Sequence, residues 1–352
     1  MLVVVVANMP HVSRYWKPAW ARPSVVLTGE IDQEWLAKAG PSVEAIMPEE
    51  FRDVVPCPDQ EGATRHGYAG PDYTVLVPAS LRRETAELQR RIGRLTWYFI
   101  CTRPRVRAIP DEFYIANRHL HMGFAVSVDG GGEQVLTAVA PQETNAETVT
   151  VEPGGVDLVL RASGRHETRA NASVLAQFAI TPNPYEPSPL DLEVRYIGRA
   201  RGELATKCAL DRLDEHKQYQ TVLEEVQAPL YENREIVLLL CSGTTLNIFS
   251  ASDHPPSYAE TKAEYAAVER TRQLLTEPVR VDAVEALLIN LFKPQHNTHY
   301  VGELDSHWEP FVKCRQAGLT GLTLVMATDD LRCGLYTGSQ QAGQYFHRSV
   351  CF

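Results

Sequence analysis

Short apolar runs separated by proline and glycine dominate the first 170 residues of the chain. Runs of about four to eight apolar residues, rich in β-branched and aromatic side chains, predict strands. Residues 1–170 contain SVVLTG, YTVLVPA, LTWYFICT, GFAVSVDGGG and VDLVLRASG. One segment with helical period, SLRRETAELQRRIGRL, begins at Ser80, a favoured N-cap residue. The pattern predicts a β-rich α/β domain over residues 1–170.

Strands and helices alternate over residues 171–352. A proline-rich stretch at 181–191 leads into a predicted strand, LEVRYIGRA, and then into a helix over 207–226. The buried strand REIVLLLCSG comes next. It is followed by predicted helices over 258–275 and 281–294 and by two last strands, GLTLVMAT and RCGLYTG. This order predicts a compact α/β unit as the second domain, 171–352.

Composition is typical of a globular protein that acts inside the cell. The 352 residues are 44% hydrophobic and 22% charged, enough apolar material for two domains. No apolar run approaches the roughly 20 residues of a membrane-spanning helix, and the opening MLVVVVANMP predicts a buried strand rather than a signal peptide. Seven scattered cysteines without a C-x-x-C pair indicate reduced thiols rather than a disulfide frame or a zinc site. We expect a cytoplasmic protein with no membrane partner.

Arginines concentrate in one segment although the chain as a whole is acidic. The net charge of −10 argues against a protein that coats nucleic acid indiscriminately. Between Ser80 and Arg107, however, eight arginines stand against two glutamates. A solvated helix face followed by a strand explains any single one of them. As a cluster they predict a phosphate-binding surface, made by Arg82, Arg83, Arg90, Arg91, Arg94, Arg103, Arg105 and Arg107.

The helix predicted over 281–294 carries a lone carboxylate, Glu285, one step round from its apolar stripe. A half-buried carboxylate is costly unless it is paired, hydrogen-bonded or metal-bound. Two explanations stay open. In the first, Asp282 and Glu285 form a capping box, Pro294 ends the helix and Asn297 is a turn residue. In the second, Glu285 is a metal ligand.

Two further segments supply groups suited to phosphodiester hydrolysis. Tyr196 precedes Gly198 at the end of a predicted strand, where glycine permits close approach to the backbone, and Arg199 follows. Arg212 and His216 lie one helical turn apart. Each alone has an ordinary explanation as a packed aromatic or a solvated cation. Together with the carboxylate they provide a metal ligand, guanidiniums for the phosphorane charge and a base for the water.

These segments resemble the GIY-YIG nuclease superfamily over roughly residues 172–300. The resemblance rests on the YIG of Tyr196-Ile197-Gly198, on RLxxH from Arg212 to His216, and on EALLINLFKPQHN. In that last segment Asn297 follows Glu285 by twelve residues, as in the family, although His296 replaces the family's aromatic residue. The arginine and histidine one turn apart are most similar to the restriction enzymes. The resemblance implies an α/β (α+β) fold with a small antiparallel sheet flanked by helices.

The resemblance also implies roles for the matching residues. Glu285 would be the protein ligand of a Mg²⁺ or Mn²⁺ ion. Tyr196, with His216, would deprotonate the attacking water. Arg199 and Arg212 would bind the scissile phosphate, and Asn297 would hold the tyrosine or the local backbone in place.

The family's upstream G-I-Y strand is not legible in this chain. Phe178-Ala179-Ile180 stands where it would occur, and Tyr185 lies farther on. In the family that tyrosine belongs to the active site. Its absence leaves three alternatives: Tyr185 replaces it, Tyr196 acts alone, or the site is inactive.

The leading hypothesis is a metal-dependent endonuclease whose N-terminal domain selects the substrate or partner. DNA is favoured over RNA, restriction or phage defence follows by analogy, and cutting two strands with one site per chain favours a homodimer. A second hypothesis is a non-catalytic nucleic-acid-binding protein on a degenerate GIY-YIG fold, favoured by the missing tyrosine and the acidic charge. The third is an α/β protein for another partner, with Glu285 as a helix cap.

Overall fold

The computed structural model describes residues 6–8, 64–71, 73–79, 95–128, 132–141, 146–162, 167–180, 187–199, 217–228, 233–242, 245–251, 258–328 and 331–352. Among the helices of these residues, none has the length and apolar character needed to cross a membrane. Cys351 is disulfide-bonded, which differs from the expectation of reduced thiols. The free cysteines in the same part of the chain are all buried: Cys101, Cys241, Cys314 and Cys333.

The described residues form strands and helices in the following order. The strands are β1 (Val6–Asn8), β2 (Thr64–Gly70), β3 (Tyr73–Pro78), β4 (Leu95–Pro104), β5 (Val106–Ala108), β6 (Tyr114–Ala116), β7 (His119–Val128), β8 (Gly132–Pro141), β9 (Ala146–Val151), β10 (Asp157–Ala162), β11 (Glu167–Asn171), β12 (Leu192–Arg199), β13 (Arg234–Ser242), β14 (Thr245–Ala251), β15 (Gly321–Ala327), β16 (Leu335–Tyr336) and β17 (Tyr345–Cys351). The helices are α1 (Ala172–Ala179), α2 (Lys217–Gln227), α3 (Tyr258–Leu274), α4 (Glu277–Phe292) and α5 (Glu309–Gln316), with a 3₁₀ turn at Pro110–Glu112.

A six-stranded sheet in the order β1-β3-β13-β4-β12-β16 is the centre of the structure. Its neighbouring strands are antiparallel, except that β12 and β16 are parallel. β4 lies inside the sheet with both faces covered, and nearly all of its residues are buried. This burial explains its continuous apolar sequence.

Alternate residues of β4 enter two different cores. Trp97 and Phe99 join the larger core, which contains α4 and α5, whereas Tyr98 joins a smaller core beneath α2. Trp97 Nε1 also donates to the carbonyl oxygen of Val281 at 3.3 Å, and this bond ties β4 to α4. The central sheet is therefore covered by α4 on one face and by α2 on the other.

Three smaller sheets surround the central one, with the orders β14-β2-β15-β17, β11-β10-β9, and β5-β7-β6 with β8 paired to β7. The last two of these sheets and α1 all come from the chain between β4 and β12. The chain thus leaves the central sheet after β4, builds a β-rich insertion, and returns as β12, the antiparallel neighbour of β4.

The mixture of helices and largely antiparallel sheets confirms the predicted α/β (α+β) class. The central sheet combines residues from both predicted domains, 1–170 and 171–352, because β3 and β4 pair with β13 and β12. Helices α3 and α4 confirm the predictions for 258–275 and 281–294. The helix predicted over 207–226 is described from Lys217 as α2, and the helix predicted from Ser80 lies outside the described residues.

Residues 172–179 form helix α1, so no G-I-Y strand occurs at Phe178-Ala179-Ile180. The helix begins there because Asn171 is an effective N-cap: its Oδ1 accepts hydrogen bonds from the backbone nitrogens of Ser173 (3.1 Å) and Val174 (3.3 Å). Phe178 and Ala179 are therefore helical, and Ile180, the position expected for the family's first tyrosine, is the extended C-cap of α1.

His66 on β2 is buried where β15 packs beside it. Its Nε2 lies 2.8 Å from Thr323 Oγ1, which lies 2.8 Å from Ser349 Oγ. A Cβ on Gly321 would come within 2.6 Å of His66 Nδ1, so glycine is needed to admit the ring. Burial lowers the pKa of His66 to about 4, and the imidazole is therefore neutral at physiological pH.

Candidate active site

Asn297 joins the end of α4 to the middle of β12. Its Oδ1 accepts a hydrogen bond from the backbone nitrogen of Ile197 at 2.9 Å, and its Nδ2 donates to the carbonyl oxygen of Ile197 at 2.8 Å. The backbone nitrogen of His296 also donates to the carbonyl oxygen of Arg195 at 3.1 Å. β16 pairs with β12 only at Leu192 and Glu193. Beyond these residues, the segment after α4 takes the place of a neighbouring strand at the edge of β12.

The turn that brings Asn297 to β12 follows from the sequence after α4. Lys293 ends the helix in the left-handed conformation, with φ of 47°, and its backbone nitrogen donates to Ile289 O. Pro294 follows and cannot continue the helical hydrogen bonding. The chain therefore reverses within a few residues and presents Asn297 to the strand.

Tyr196 lies beside a second tyrosine, Tyr98 of β4. Their ring centroids are 6.1 Å apart, with an angle of 38° between the planes. The strand register places Tyr98 opposite Gly198, and a Cβ on Gly198 would come within 2.7 Å of the Tyr98 hydroxyl and of Tyr196 Cε1. Glycine is therefore required at the point where the two phenols converge.

A β-bulge directs Arg195 and Tyr196 to the same face of β12. The register with β4 shifts between Val194 and Tyr196, which leaves Arg195 as the extra residue. Arg195 Nη2 lies 2.7 Å from Glu225 Oε2 on α2, and Tyr196 packs against the core beneath α2. Arg199 contacts α4 on the other side. The side chains of Tyr196 and Arg199 therefore lie on opposite faces of the sheet.

Arg199 bridges two carboxylates of α4. Its Nε lies 3.0 Å from Glu285 Oε2, and its Nη1 pairs with Asp282 Oδ1. The three side chains are 14 to 27% exposed, with Glu285 the most buried. Helix α4 begins at Glu277 and has Thr276 as its N-cap, so Glu285 is well inside the helix. The capping-box explanation is therefore wrong, and an ion pair accounts for the half-buried carboxylate.

Glu309 at the start of α5 lies within electrostatic reach of Arg199. The pKa of Glu309 is lowered, first by the hydrogen bond and charge of Lys313 and to a smaller extent by Arg199. The loop of residues 298–308 that leads from Asn297 to α5 lines a cavity of about 800 Å³. Asn290 anchors this loop, because its Nδ2 donates to the carbonyl oxygens of Tyr300 (3.1 Å) and Gly302 (3.0 Å).

An ionic network fixes the first half of β12. Arg195 Nη1 lies 2.9 Å from Glu193 Oε1, and Arg234 Nη2 lies 2.8 Å from Glu193 Oε2. His296 Nε2 lies 3.2 Å from Glu225 Oε2. Burial alone lowers the pKa of Arg195, but Glu193 and Glu225 outweigh this effect and raise it. Ion pairs thus join the strand that carries Tyr196 to α2 and to β13.

Of the predicted catalytic residues, Arg199 and Glu285 are in contact on the α4 face of β12, Asn297 binds the edge of the same strand, and Tyr196 lies on the opposite, α2 face. Arg212, His216 and also Tyr185 lie outside the described residues. The sequence reasoning missed Tyr98 and Asp282. The apolar run of β4 signalled a buried strand, but nothing in the sequence indicated that this strand pairs with β12. The sequence around Asp282 indicates a helix cap, and nothing in it points to a pairing with Arg199.

The predicted phosphate-binding surface is only partly described. Arg82, Arg83, Arg90, Arg91 and Arg94 lie outside the described residues. Arg105 is exposed, and Arg107 is 46% exposed and paired with Glu133.

Arg103 does not belong on that surface, because it is fully buried at the end of β4. Its Nε pairs with Glu235 Oε1 at 2.8 Å, and its Nη2 donates to the carbonyl oxygen of Ser173 at 2.9 Å. It also hydrogen-bonds to Gln177 Oε1. The guanidinium therefore connects β4 and β13 to α1, and the prediction that it contacts nucleic acid is corrected.

Glu285 has the donor chemistry for Mg²⁺ or Mn²⁺, which take hard oxygen ligands. No group of three or more His, Cys, Asp and Glu side chains able to hold a metal occurs among the residues that the structure describes. Mg²⁺ commonly binds one or two carboxylates and keeps several waters beside substrate phosphates. Glu285 could serve as the single protein carboxylate of a site of that kind, although Arg199 pairs with it.

Comparison of the chain with protein-family models, with curated proteins and with solved structures found no match.

Proposed function

We propose that this protein is a metal-dependent endonuclease that hydrolyses phosphodiester bonds in nucleic acid. The observation that carries the proposal is the pair of hydrogen bonds between Asn297 and Ile197, which are 100 residues apart in the chain. This contact joins the helix of Glu285 to the strand of Tyr196 and Arg199. The GIY-YIG resemblance requires these two elements to meet, and an unrelated helix cap and turn would not require it.

Glu285 is the proposed metal ligand. A Mg²⁺ or Mn²⁺ ion bound there supplies positive charge for the scissile phosphate and the leaving oxygen. Arg199 and Arg212 bind the phosphate oxygens and stabilise the charge that develops on them. The partial burial of Glu285 and Arg199 supports this role, because charges act more strongly on a substrate when less water screens them.

Tyr196 is the proposed base for the attacking water, assisted by His216. Tyr98 adds the second phenol that no G-I-Y strand supplies, because it approaches Tyr196 over Gly198. Asn297 fixes the backbone between Tyr196 and Gly198, so the phenol keeps its position relative to the sheet. The hydrogen bonds of Asn297 to Ile197 are present without substrate, so the position of Tyr196 does not depend on substrate binding.

DNA is the proposed substrate, and restriction or phage defence in the cytoplasm is the proposed setting. Arg105, which follows β4, and Arg107 on β5 are exposed and support a nucleic-acid contact by the insertion between β4 and β12. A homodimer would supply the two sites needed to cut both strands.

The test is a cleavage assay on plasmid DNA, phage DNA with modified bases, and structured RNA, each with Mg²⁺, Mn²⁺ or EDTA. We expect metal-dependent cleavage that Glu285→Gln abolishes while folding and binding persist. Glu269→Gln is the matched control, because Glu269 on α3 is 39% exposed and pairs with Arg272. Cleavage retained in Glu285→Gln would disprove the assignment.

A non-catalytic nucleic-acid-binding protein is the second candidate. The observation that favours it is the ion pair of Glu285 with Arg199, because a decayed nuclease could keep its carboxylate as a structural partner. Under this alternative the wild type and Glu285→Gln bind nucleic acid equally, and neither cleaves with any metal.

A further inference from the structure

Arg199 neutralises the carboxylate that the proposed reaction needs for its cation. We propose that Asp282 is a positioning residue that holds Arg199 in two arrangements. In the resting protein Arg199 is shared between Asp282 and Glu285. When a divalent cation occupies Glu285, Arg199 stays tethered to Asp282 and turns toward the substrate phosphate. This inference rests on the proposed function, because it takes Glu285 as the metal ligand.

The contacts of Arg199 suit an exchange made by its side chain. Arg199 uses different nitrogens for its two partners, Nε for Glu285 and Nη1 for Asp282. It can therefore release one carboxylate and keep the other. Asp282 and Glu285 are three residues apart on one face of α4. The strand that ends at Arg199 is fixed by its pairing with β4 and by Asn297.

Electrostatic repulsion opposes a state in which Glu285 binds a divalent cation while it is still paired with Arg199. A divalent cation on Glu285 would lie within a few ångströms of the guanidinium, and this repulsion is strong where water is partly excluded. The three side chains carry one positive and two negative charges, so the group still attracts a cation. A substrate phosphate attracts Arg199 away from Glu285 and so favours cation binding. By linkage, the cation favours phosphate binding by the same factor.

The experiment is a Mn²⁺ titration of the full chain without nucleic acid, followed by calorimetry or by the electron paramagnetic resonance of free Mn²⁺. We expect Arg199→Gln to bind Mn²⁺ roughly tenfold or more tightly than wild type, because it removes a neighbouring positive charge. Arg199→Lys keeps the positive charge but has one nitrogen in place of the two that serve the two carboxylates, so its affinity should lie between those of wild type and Arg199→Gln. Asp282→Asn should bind more weakly than wild type, and Glu285→Gln should bind least.

Arg272→Gln is the matched control, because Arg272 pairs with Glu269 at 2.9 Å on α3. Its Mn²⁺ affinity should equal that of wild type, and thermal unfolding should show that each variant is folded. An unchanged affinity in Arg199→Gln would overturn the inference. So would a loss in Asp282→Asn as large as that in Glu285→Gln, because Asp282 would then be a direct ligand.

The two proposals fail in different ways. If the predicted order of Mn²⁺ affinities holds and no nucleic acid is cleaved, the exchange of charges stands and the nuclease function fails. If Glu285→Gln abolishes cleavage and Arg199→Gln leaves the Mn²⁺ affinity unchanged, the nuclease function stands and the role of Asp282 fails.

Discussion

Asn297 satisfies both outward backbone groups of Ile197, with distances of 2.9 Å to its nitrogen and 2.8 Å to its oxygen. Asn297→Asp keeps the acceptor but places a charged oxygen against the Ile197 carbonyl. We expect the free energy of unfolding to fall by about 1–3 kcal/mol, the cost of unsatisfied buried hydrogen-bonding groups. Urea denaturation at pH 7 measures this change. Asn117→Asp, in an exposed turn, is the control, and an equal midpoint for both variants would contradict the prediction.

Gly198 is the position where any side chain would separate the two tyrosines. A Cβ there would lie 2.7 Å from both Tyr196 and Tyr98, closer than packed atoms approach. We expect Gly198→Ala to destabilise the protein by about 1–3 kcal/mol through overpacking. Gly132→Ala, with nothing within 4 Å of its Cβ, should leave stability unchanged. The thermal unfolding temperatures of the two variants show whether stability is lost through the tight contact at Gly198 or through replacement of any glycine by alanine.

Local patterns in the sequence were enough to predict the elements of the site. The apolar stripe around Glu285 predicted α4, and the apolar run before Gly198 predicted β12. Pro294 and the short segment after it predicted where α4 ends. These features depend on residues that are close together in the sequence, so the sequence alone predicts them.

The partners of these elements could not be predicted in the same way. Tyr98 meets Gly198 because β4 pairs with β12 across a long insertion, and strand pairing over such a separation leaves no periodic signal. The sequence therefore offers a position for the G-I-Y strand only upstream of Tyr196. Arg103 differs from the prediction for another reason: the cluster of arginines predicts a charged surface, whereas the position of Arg103 at the end of the buried run LTWYFICTRP places it in the core.

Replacing Arg103 should affect stability, whereas replacing Arg107 should mainly affect DNA binding. Arg103→Gln leaves the partly buried Glu235 without its cation, and we expect a loss of about 3–5 kcal/mol of stability. Arg107→Gln removes an exposed pair with Glu133, worth about 0–1 kcal/mol. If the exposed arginines bind phosphates, Arg107→Gln should reduce the salt dependence of DNA binding by about one unit of slope. Denaturation and binding at several salt concentrations measure the two effects, and an unchanged slope would remove Arg107 from the surface.

His66 should make stability depend on pH below neutrality. Burial lowers its pKa from 6.5 to about 4, so the unfolded chain takes up a proton at a higher pH than the folded chain does. Its contribution is therefore fully present above pH 6.5 and is lost as pH falls toward 4, by about 3 kcal/mol in total. We expect His66→Gln to reduce the slope of stability against pH in this window. His307→Gln, with its side chain 77% exposed in the wild type, should keep the wild-type slope.

Tyr98 and Tyr196 should contribute unequally to cleavage. Tyr196→Phe removes the proposed base, and we expect cleavage to fall by about 10²-fold or more. Tyr98→Phe keeps the ring over Gly198 and removes only its hydroxyl, so folding should persist while cleavage falls by a smaller factor. Tyr219→Phe, a buried tyrosine of α2 in the same core, is the matched control for the loss of a phenol. Single-turnover rates measured against pH would separate the roles. If Tyr98→Phe matches Tyr219→Phe at every pH, Tyr98 serves only to pack the core.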